Sequence, residues 1–192
     1  MIRRALLGIL LLAAVALAIW WFVPRAPGPG PASVADQPAT GQAAPTVPGI
    51  PADAFEITIE SVHDGDTLRA RVAAPNSVMT DLESTRVRLI GLDTPEISPV
   101  AECWGAEATN GLAALLPPGS TAWATADLEV RDQYDRHLLY LWTPEGRFVN
   151  AQLLAQGDGV VMVFAPNTLH EPLFRTLEAQ AAGAGVGLWG AC

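Results

Sequence analysis

Three short segments of the 192-residue chain combine carboxylates with hydroxyl, aromatic or arginine side chains, the groups with which proteins bind cations and oxyanions. They are Asp64–Thr67 (Asp-Gly-Asp-Thr), Asp93–Glu96 (Asp-Thr-Pro-Glu) and Asp132–Arg136 (Asp-Gln-Tyr-Asp-Arg). Taken alone, the first is typical of a hairpin turn and the second of a strand that ends at a proline. Arg88 is less ordinary, because a guanidinium within an apolar strand is costly unless it meets a carboxylate or faces a cleft. We therefore expect Arg88 to have such a partner.

The sequence around these segments predicts a barrel-like domain. Residues 55–62 and 67–72 alternate apolar and polar side chains on either side of Asp64-Gly65, which predicts a β-hairpin. Further strands are predicted at 86–92, 121–130 and 137–142, and helices at 104–116, 148–156 and 171–182. This order favours an α+β, mainly β domain of the OB-fold class, a five-stranded barrel with about three packed helices.

Composition and charge exclude several classes of protein. Half of the residues are apolar and 16% are charged, which excludes a fully disordered chain. The 11 basic residues are all arginines and are outnumbered by 20 acidic residues. The resulting net charge of −9 excludes a histone-like coating of nucleic acid. Cys103 and Cys192 are too few for a disulfide-dense scaffold or a structural zinc site.

The N-terminal region predicts export. Arg3 and Arg4 precede an uncharged apolar run at residues 5–23, whose 19 residues at about 1.5 Å each nearly span the roughly 30 Å of a bilayer core. The run predicts a membrane anchor with a cytoplasmic N-terminus and all that follows outside the cytoplasm. A cleavable signal peptide is the alternative, since Ala16-Leu17-Ala18 has the small residues of a cleavage site; the protein would then be secreted.

Residues 24–53 have the composition of a linker. Proline, glycine and alanine make up 19 of these 30 residues, and no apolar periodicity is present. The chain therefore divides into an anchor or signal segment at 1–23, a disordered linker at 24–53 and one folded domain at 54–192. That domain holds eight arginines and 18 acidic residues, a difference of −10.

The three polar segments, in this order and at this spacing, resemble the thermonuclease family of staphylococcal-nuclease-like domains. The similarity covers essentially all of residues 54–192. It includes Trp104–Ala108, Val149-Asn150, Ala165–Asn167, His170-Glu171 and Glu178–Gln180. The resemblance implies an OB-fold barrel that hydrolyses phosphodiester bonds of DNA and RNA as a calcium-dependent endonuclease.

The resemblance also implies a metal site. Asp66 and Asp93 would be the metal carboxylates, Thr94 would add its backbone carbonyl, and Asp64 would support them. These hard oxygen ligands suit Ca²⁺, with Mg²⁺ as the second choice. Such a sparse set leaves coordination positions for water and for a substrate phosphate.

The remaining implied roles belong to the phosphate and the attacking water. Arg88 and Arg136 would clamp the phosphate, since a guanidinium can make two charge-assisted bonds to its oxygens. Glu96 would orient or deprotonate the water. Asp132 and Tyr134, from the same segment as Arg136, would support the site.

Four positions depart from the family pattern. Gln133 stands where a lysine is common, and Asp135 replaces a turn glycine, although Asp tolerates a left-handed turn. Met162 and Phe164 occupy positions where tyrosines often contact the nucleotide. With the domain at −10, we expect weak, metal-dependent binding of nucleic acid.

Two function classes follow. The first is an exported, membrane-tethered, metal-dependent nuclease that acts on DNA and/or RNA as a monomer; the second is a non-catalytic nucleic-acid- or protein-binding module on the same barrel. Arg88, Glu96 and Arg136 together favour the enzyme, because a binding module has no need of a water-activating carboxylate. Export also predicts a disulfide between Cys103 and Cys192, since an oxidising compartment favours pairing of two nearby thiols.

Overall fold

The computed structural model describes residues 44–192, in which five strands form a closed barrel. The barrel strands are β1 (Phe55–Val62), β2 (Thr67–Arg71), β3 (Thr85–Leu89), β5 (Thr121–Thr125) and β6 (His137–Trp142). Their order around the barrel is β1-β2-β3-β6-β5; β3 and β6 are parallel and the other neighbours are antiparallel. The predicted five-stranded barrel is confirmed.

Helices cover parts of the barrel surface. They are α1 (Gly105–Leu115), α2 (Val149–Gln156), α3 (Glu171–Ala184) and the one-turn α4 (Leu188–Ala191). The first three confirm the expected number of helices, whereas α4 lies in a glycine-rich tail whose sequence predicts no element. A disulfide joins Cys103, just before α1, to Cys192, with the two Cα atoms 5.9 Å apart.

The predicted strand at residues 86–92 is two strands in the structure. Gly91 has φ +88°, and a Cβ at this position would lie 2.3 Å from Cε2 of Phe174, so only glycine fits the bend. After the bend, β4 (Gly91–Asp93) leaves the barrel and pairs antiparallel with β7 (Val160–Met162). This second sheet carries Asp93 away from the barrel wall.

The core fills the barrel and the space under the helices. Alternate residues of the strands are fully buried, among them Ile57, Ile59, Leu68, Val87 and Leu139. The carboxamide of the buried Asn150 accepts the Leu141 N–H at 2.9 Å and donates to the Ile90 carbonyl at 2.9 Å. It thereby fixes α2 to β6 and to the point where the chain leaves the barrel.

Part of the predicted linker contacts the barrel. The Trp142 indole donates a hydrogen bond to the Pro48 carbonyl at 3.1 Å, and Ile50 packs against the core. In residues 44–192 no helix has the length and apolar character needed to cross a bilayer. The predicted anchor at 5–23 and most of the predicted linker lie outside the described residues.

Candidate active site

Arg88 lies between two carboxylates at the end of β3. One of its terminal nitrogens donates to Oδ1 of Asp66, and the other donates to Oδ1 of Asp93 at 2.5 Å and to the Leu92 carbonyl at 3.2 Å. Its side chain is 14% exposed. The acidic partners that the sequence predicts for Arg88 are therefore Asp66, from the turn before β2, and Asp93, from β4.

Asp66 is the most deeply buried carboxylate of the site, with a side chain 2% exposed. The Thr94 N–H donates to its Oδ2 at 3.0 Å, and the Thr67 hydroxyl donates to its Oδ1 at 3.0 Å. Burial raises the pKa of Asp66 to about 7, although the Arg88 guanidinium acts in the opposite direction. A cation bound at Asp66 would therefore stabilise the ionised form of this buried carboxylate.

The turn before β2 is tightly built around Asp64. Its Oδ1 accepts the N–H groups of Asp66 at 3.0 Å and Thr67 at 2.7 Å. Gly65, between Asp64 and Asp66, leaves no room for a side chain, because a Cβ would lie 2.7 Å from the Thr94 hydroxyl oxygen and 2.8 Å from the Ala108 Cβ. The hairpin turn thus packs against the Thr94 segment and against α1.

Glu96 is exposed, and its backbone is fixed by Glu102. The Glu96 N–H donates to Oε2 of Glu102 at 2.9 Å, and the Glu96 carbonyl accepts the Glu102 N–H at 2.8 Å. Partial desolvation, followed by the carboxylates of Asp64 and Asp93, raises the pKa of Glu96. A carboxylate with a raised pKa is a better proton acceptor than a free one.

Arg136 is held by its own turn. Its Nε donates to Oδ2 of Asp132 at 2.7 Å, while the backbone N–H groups of Arg136 and Tyr134 donate to Oδ1 at 2.9 Å each. Although burial opposes it, these bonds lower the pKa of Asp132. The guanidinium carbon lies 5.4 Å from the centroid of the Tyr134 ring, and Asp135 adopts φ +61°. The left-handed turn expected of an aspartate here is present.

Two clefts meet at this site. The first cleft, of about 550 Å³, is lined by Arg88 and Asp93 and bounded by Tyr134, Met162 and Phe164. The second cleft, of about 440 Å³, lies beside the Asp64 turn and β2. Glu96 and Arg136 line both clefts.

The structure brings most of the predicted residues together. Of the residues predicted for catalysis and metal binding, Arg88, Asp93, Glu96 and Arg136 line the first cleft. Asp66 and Thr94 are buried and are not in its lining. Glu102, which fixes the Glu96 backbone, was not singled out in the sequence, because its spacing from Glu96 matches no recognised motif.

The predicted metal ligands are few but chemically consistent. In residues 44–192 no three His, Cys, Asp or Glu side chains are grouped so that they could hold a metal ion. The predicted set contains only two carboxylates, Asp66 and Asp93, beside the Thr94 backbone. Both carboxylates converge on one cationic group, the Arg88 guanidinium, and all their donor atoms are hard oxygens. The donor set therefore fits a hard divalent cation.

Comparison with known proteins identifies the family. The family model described as "Staphylococcal nuclease homologue" matches residues 86–191. The chain is 29% identical over 135 residues to a thermonuclease of Staphylococcus intermedius, covering 68% of this chain and 74% of the relative. It is 30% identical over 134 residues to Protein ParB of Escherichia coli, covering 66% and 67%. An uncharacterized endonuclease of Escherichia coli O157:H7 is 29% identical over 128 residues, covering 67% and 72%.

The match to the family model includes β3 from its second residue, the Asp93–Glu96 segment, the Arg136 turn and all four helices. It extends over more than half of the chain, and the five-stranded barrel and the polar cleft agree with it. The protein belongs to the staphylococcal nuclease homologue family.

Proposed function

We propose that the protein is a metal-dependent nuclease that hydrolyses phosphodiester bonds of DNA and/or RNA. The observation that carries the proposal is the position of Arg88, which is fixed between Asp66 and Asp93 in a cleft that Glu96 and Arg136 also line. Phosphate binding by arginines, a water-directing carboxylate and hard cation ligands are thus combined in one place. The names of two relatives, a thermonuclease and an endonuclease, support the same reaction class.

The metal would be held by Asp66, Asp93 and the Thr94 carbonyl, and we propose Ca²⁺ ahead of Mg²⁺. Ca²⁺ tolerates irregular oxygen coordination completed by water, whereas Mg²⁺ demands near-ideal octahedral geometry. When bound, such an ion supplies Lewis-acid polarisation of a phosphoryl oxygen. The raised pKa of Asp66 supports this role, because a buried carboxylate is stabilised by a bound cation.

The chain's own residues would act on the phosphate and the water. Arg88 and Arg136 would donate to non-bridging phosphate oxygens and stabilise the charge that develops there. Glu96, exposed at the junction of the two clefts, would orient the attacking water and accept its proton. Asp132 supports the role of Arg136, because its two carboxylate oxygens fix both the guanidinium and the turn.

We further propose that the domain acts as a monomer outside the cytoplasm, tethered to the membrane by residues 5–23. The disulfide between Cys103 and Cys192 supports an oxidising compartment, since paired cysteines are rare in reducing ones. Fractionation of a C-terminally tagged protein tests the location. Full-length protein in the membrane fraction, accessible to external protease, supports the proposal; full-length protein in the cytosol contradicts it.

A cleavage assay tests the activity. The full-length chain, purified in mild detergent, is incubated with single-stranded DNA, duplex DNA and RNA in Ca²⁺, in Mg²⁺ and in chelator. We expect cleavage in Ca²⁺ and none in chelator. Binding without cleavage in every ion would instead favour a non-catalytic module on the same barrel.

A further inference from the structure

The arginines of the described residues fall into two groups. Eight arginines are present in residues 44–192, and six of them form an ion pair with a carboxylate. Arg69 and Arg86 are the two that have no carboxylate partner within this part of the chain. This domain has many more acidic residues than arginines. Two arginines without an acidic partner in it therefore indicate positive charge that is available to an anionic ligand.

Arg69 and Arg86 lie directly opposite each other in the barrel wall. They are cross-strand partners in the β2–β3 ladder, which places their Cβ atoms roughly 5 Å apart. Both are exposed, and the neighbouring pair Leu68 and Val87 faces the core. Like charges directly opposite each other destabilise a sheet, so this pair costs folding stability that an anionic ligand would recover.

Both guanidinium groups are positioned without being neutralised. Arg69 donates to the hydroxyl and the carbonyl of Ser84, each at 3.1 Å, and Arg86 donates to the Tyr134 carbonyl at 2.7 Å. These uncharged acceptors hold the side chains in place and leave their positive charge intact. Groups held in this way lose little freedom when they bind a ligand.

The pair lies beside the proposed catalytic residues. Arg69 and Arg86 line the second cleft, which shares Glu96 and Arg136 with the first cleft. Arg86 and Arg88 are two residues apart on β3, so their side chains leave the same face of the sheet about 6.6 Å apart. One sugar can bridge two phosphates held at such positions.

We propose that the second cleft is a phosphate subsite for a single nucleic-acid strand, in which Arg69 and Arg86 bind the phosphate next to the one at Arg88 and Arg136. This inference rests on the proposed nuclease function for the position of the cleaved phosphate. The strand would run from the first cleft into the second across Glu96. The subsite supplies local attraction in a domain whose overall charge repels nucleic acid.

Equilibrium binding tests the subsite. Full-length wild type, Arg69→Gln/Arg86→Gln and Arg71→Gln/Arg147→Gln are titrated with a fluorescent oligothymidylate over a range of salt concentrations. The titrations are made in chelator, so that the metal-independent part of the binding is measured without cleavage. The second double variant is the matched control, because it removes the same charge from exposed arginines that pair with Glu60 and Glu145. The circular dichroism spectrum of each variant shows whether it is folded.

We expect Arg69→Gln/Arg86→Gln to bind about tenfold more weakly, with the slope of log K against log salt reduced by about 0.7, since each neutralised phosphate of a single strand contributes about 0.7. The control should stay within about twofold of wild type. Equal losses in both double variants, or no loss in either, would overturn the subsite. Oligothymidylate is used because it lacks duplex structure.

Cleavage separates this proposal from the nuclease proposal. With long single-stranded DNA, Arg69→Gln/Arg86→Gln should raise KM about tenfold and leave kcat within about twofold, whereas a dinucleotide with one phosphodiester should be cleaved equally by variant and wild type. If wild type binds as expected but cleaves nothing in any ion, the nuclease proposal fails and the phosphate site stands. If cleavage is normal and binding does not depend on Arg69 and Arg86, only the subsite fails.

Discussion

The two clefts of this domain treat positive charge in opposite ways. In the first cleft, Arg88 is neutralised by Asp66 and Asp93, and Arg136, which lines both clefts, is neutralised by Asp132. In the second cleft, Arg69 and Arg86 are held only by a serine and a backbone carbonyl. Strand β3 contributes to both arrangements, because Arg86 and Arg88 alternate with buried residues along it.

The difference indicates that the two clefts have different roles: the first holds its arginines at fixed positions, and the second attracts the phosphate. Ion pairs fix the guanidinium groups of the first cleft at defined positions before any substrate arrives, which is what preorganised stabilisation of developing charge requires. Their charge is locally balanced, so they attract a distant phosphate weakly. The unpaired arginines of the second cleft supply that attraction, and their exact orientation matters less.

The largest effect is expected for Glu96→Gln, which tests whether the carboxylate at the junction of the two clefts activates the attacking water. The substitution keeps the size of the side chain and removes its ability to accept a proton, so kcat should fall at least about a hundredfold, as is typical when a general base is lost. Oligonucleotide affinity should remain within about twofold. Stopped assays under saturating DNA measure kcat, and anisotropy in chelator measures binding.

Glu145→Gln is the matched control for this variant, because Glu145 is an exposed turn residue whose replacement changes the net charge equally. It should cleave as wild type does. Normal turnover in Glu96→Gln would remove Glu96 from the mechanism and leave the first cleft without a group to direct water.

A smaller contrast is expected when each type of arginine is replaced by lysine. Arg88→Lys keeps the charge but cannot bridge two carboxylates and donate to a phosphate with a planar fork, so kcat/KM should fall about tenfold to a hundredfold. Arg86→Lys also keeps the charge, and a point charge suffices for attraction, so its loss should be about twofold and confined to KM. Steady-state kinetics on single-stranded DNA compare the two.

Equal losses of kcat/KM in Arg88→Lys and Arg86→Lys would contradict the different roles of the two clefts. A large loss in Arg86→Lys alone would mean that the second cleft, and not the first, depends on bidentate geometry. Melting curves of both variants are the control, since Arg88 is largely buried and Arg86 is exposed.

Local patterns were sufficient to predict most of the barrel. The hairpin on either side of Asp64-Gly65 has the alternation of a half-buried sheet, and β6 occupies the predicted residues 137–142. The need of Arg88 for an acidic partner also followed from its place in an apolar strand. These features depend on residues close together in sequence or on the cost of burying a single charge.

Features that depend on distant pairing were not predictable in this way. The three-residue β7 forms only because Gly91 turns the chain out of the barrel toward it. The predicted strand at 121–130 ends at Thr125, and beyond it the Asp127 carboxylate accepts hydrogen bonds from the distant Tyr140 hydroxyl and Leu169 N–H. The unpaired state of Arg69 and Arg86 likewise appears only once every carboxylate has been placed in space.

Asp158 provides the smallest test, because it is a buried carboxylate outside both clefts and, unlike Asp66, has a neutral partner. It is 6% exposed, and the Trp104 indole donates to its Oδ1 at 2.9 Å. Burial raises the pKa of Asp158, and the indole N–H partly opposes this. The folded state therefore holds the Asp158 proton to a higher pH than the unfolded chain does, so wild type loses stability as pH rises through the folded-state pKa.

Asp158→Asn keeps the oxygen that accepts the indole N–H and never ionises. It should melt a few degrees above wild type at pH 8, since about 1 kcal/mol shifts Tm by roughly 2–4 °C in a domain of this size, and the gap should shrink toward pH 4. Asp81→Asn, at an exposed loop position, should show no such gap. If Asp158→Asn melts no higher than wild type at pH 8, a buried carboxylate in this fold does not need a cation, and the argument that Asp66 gains from one loses its basis.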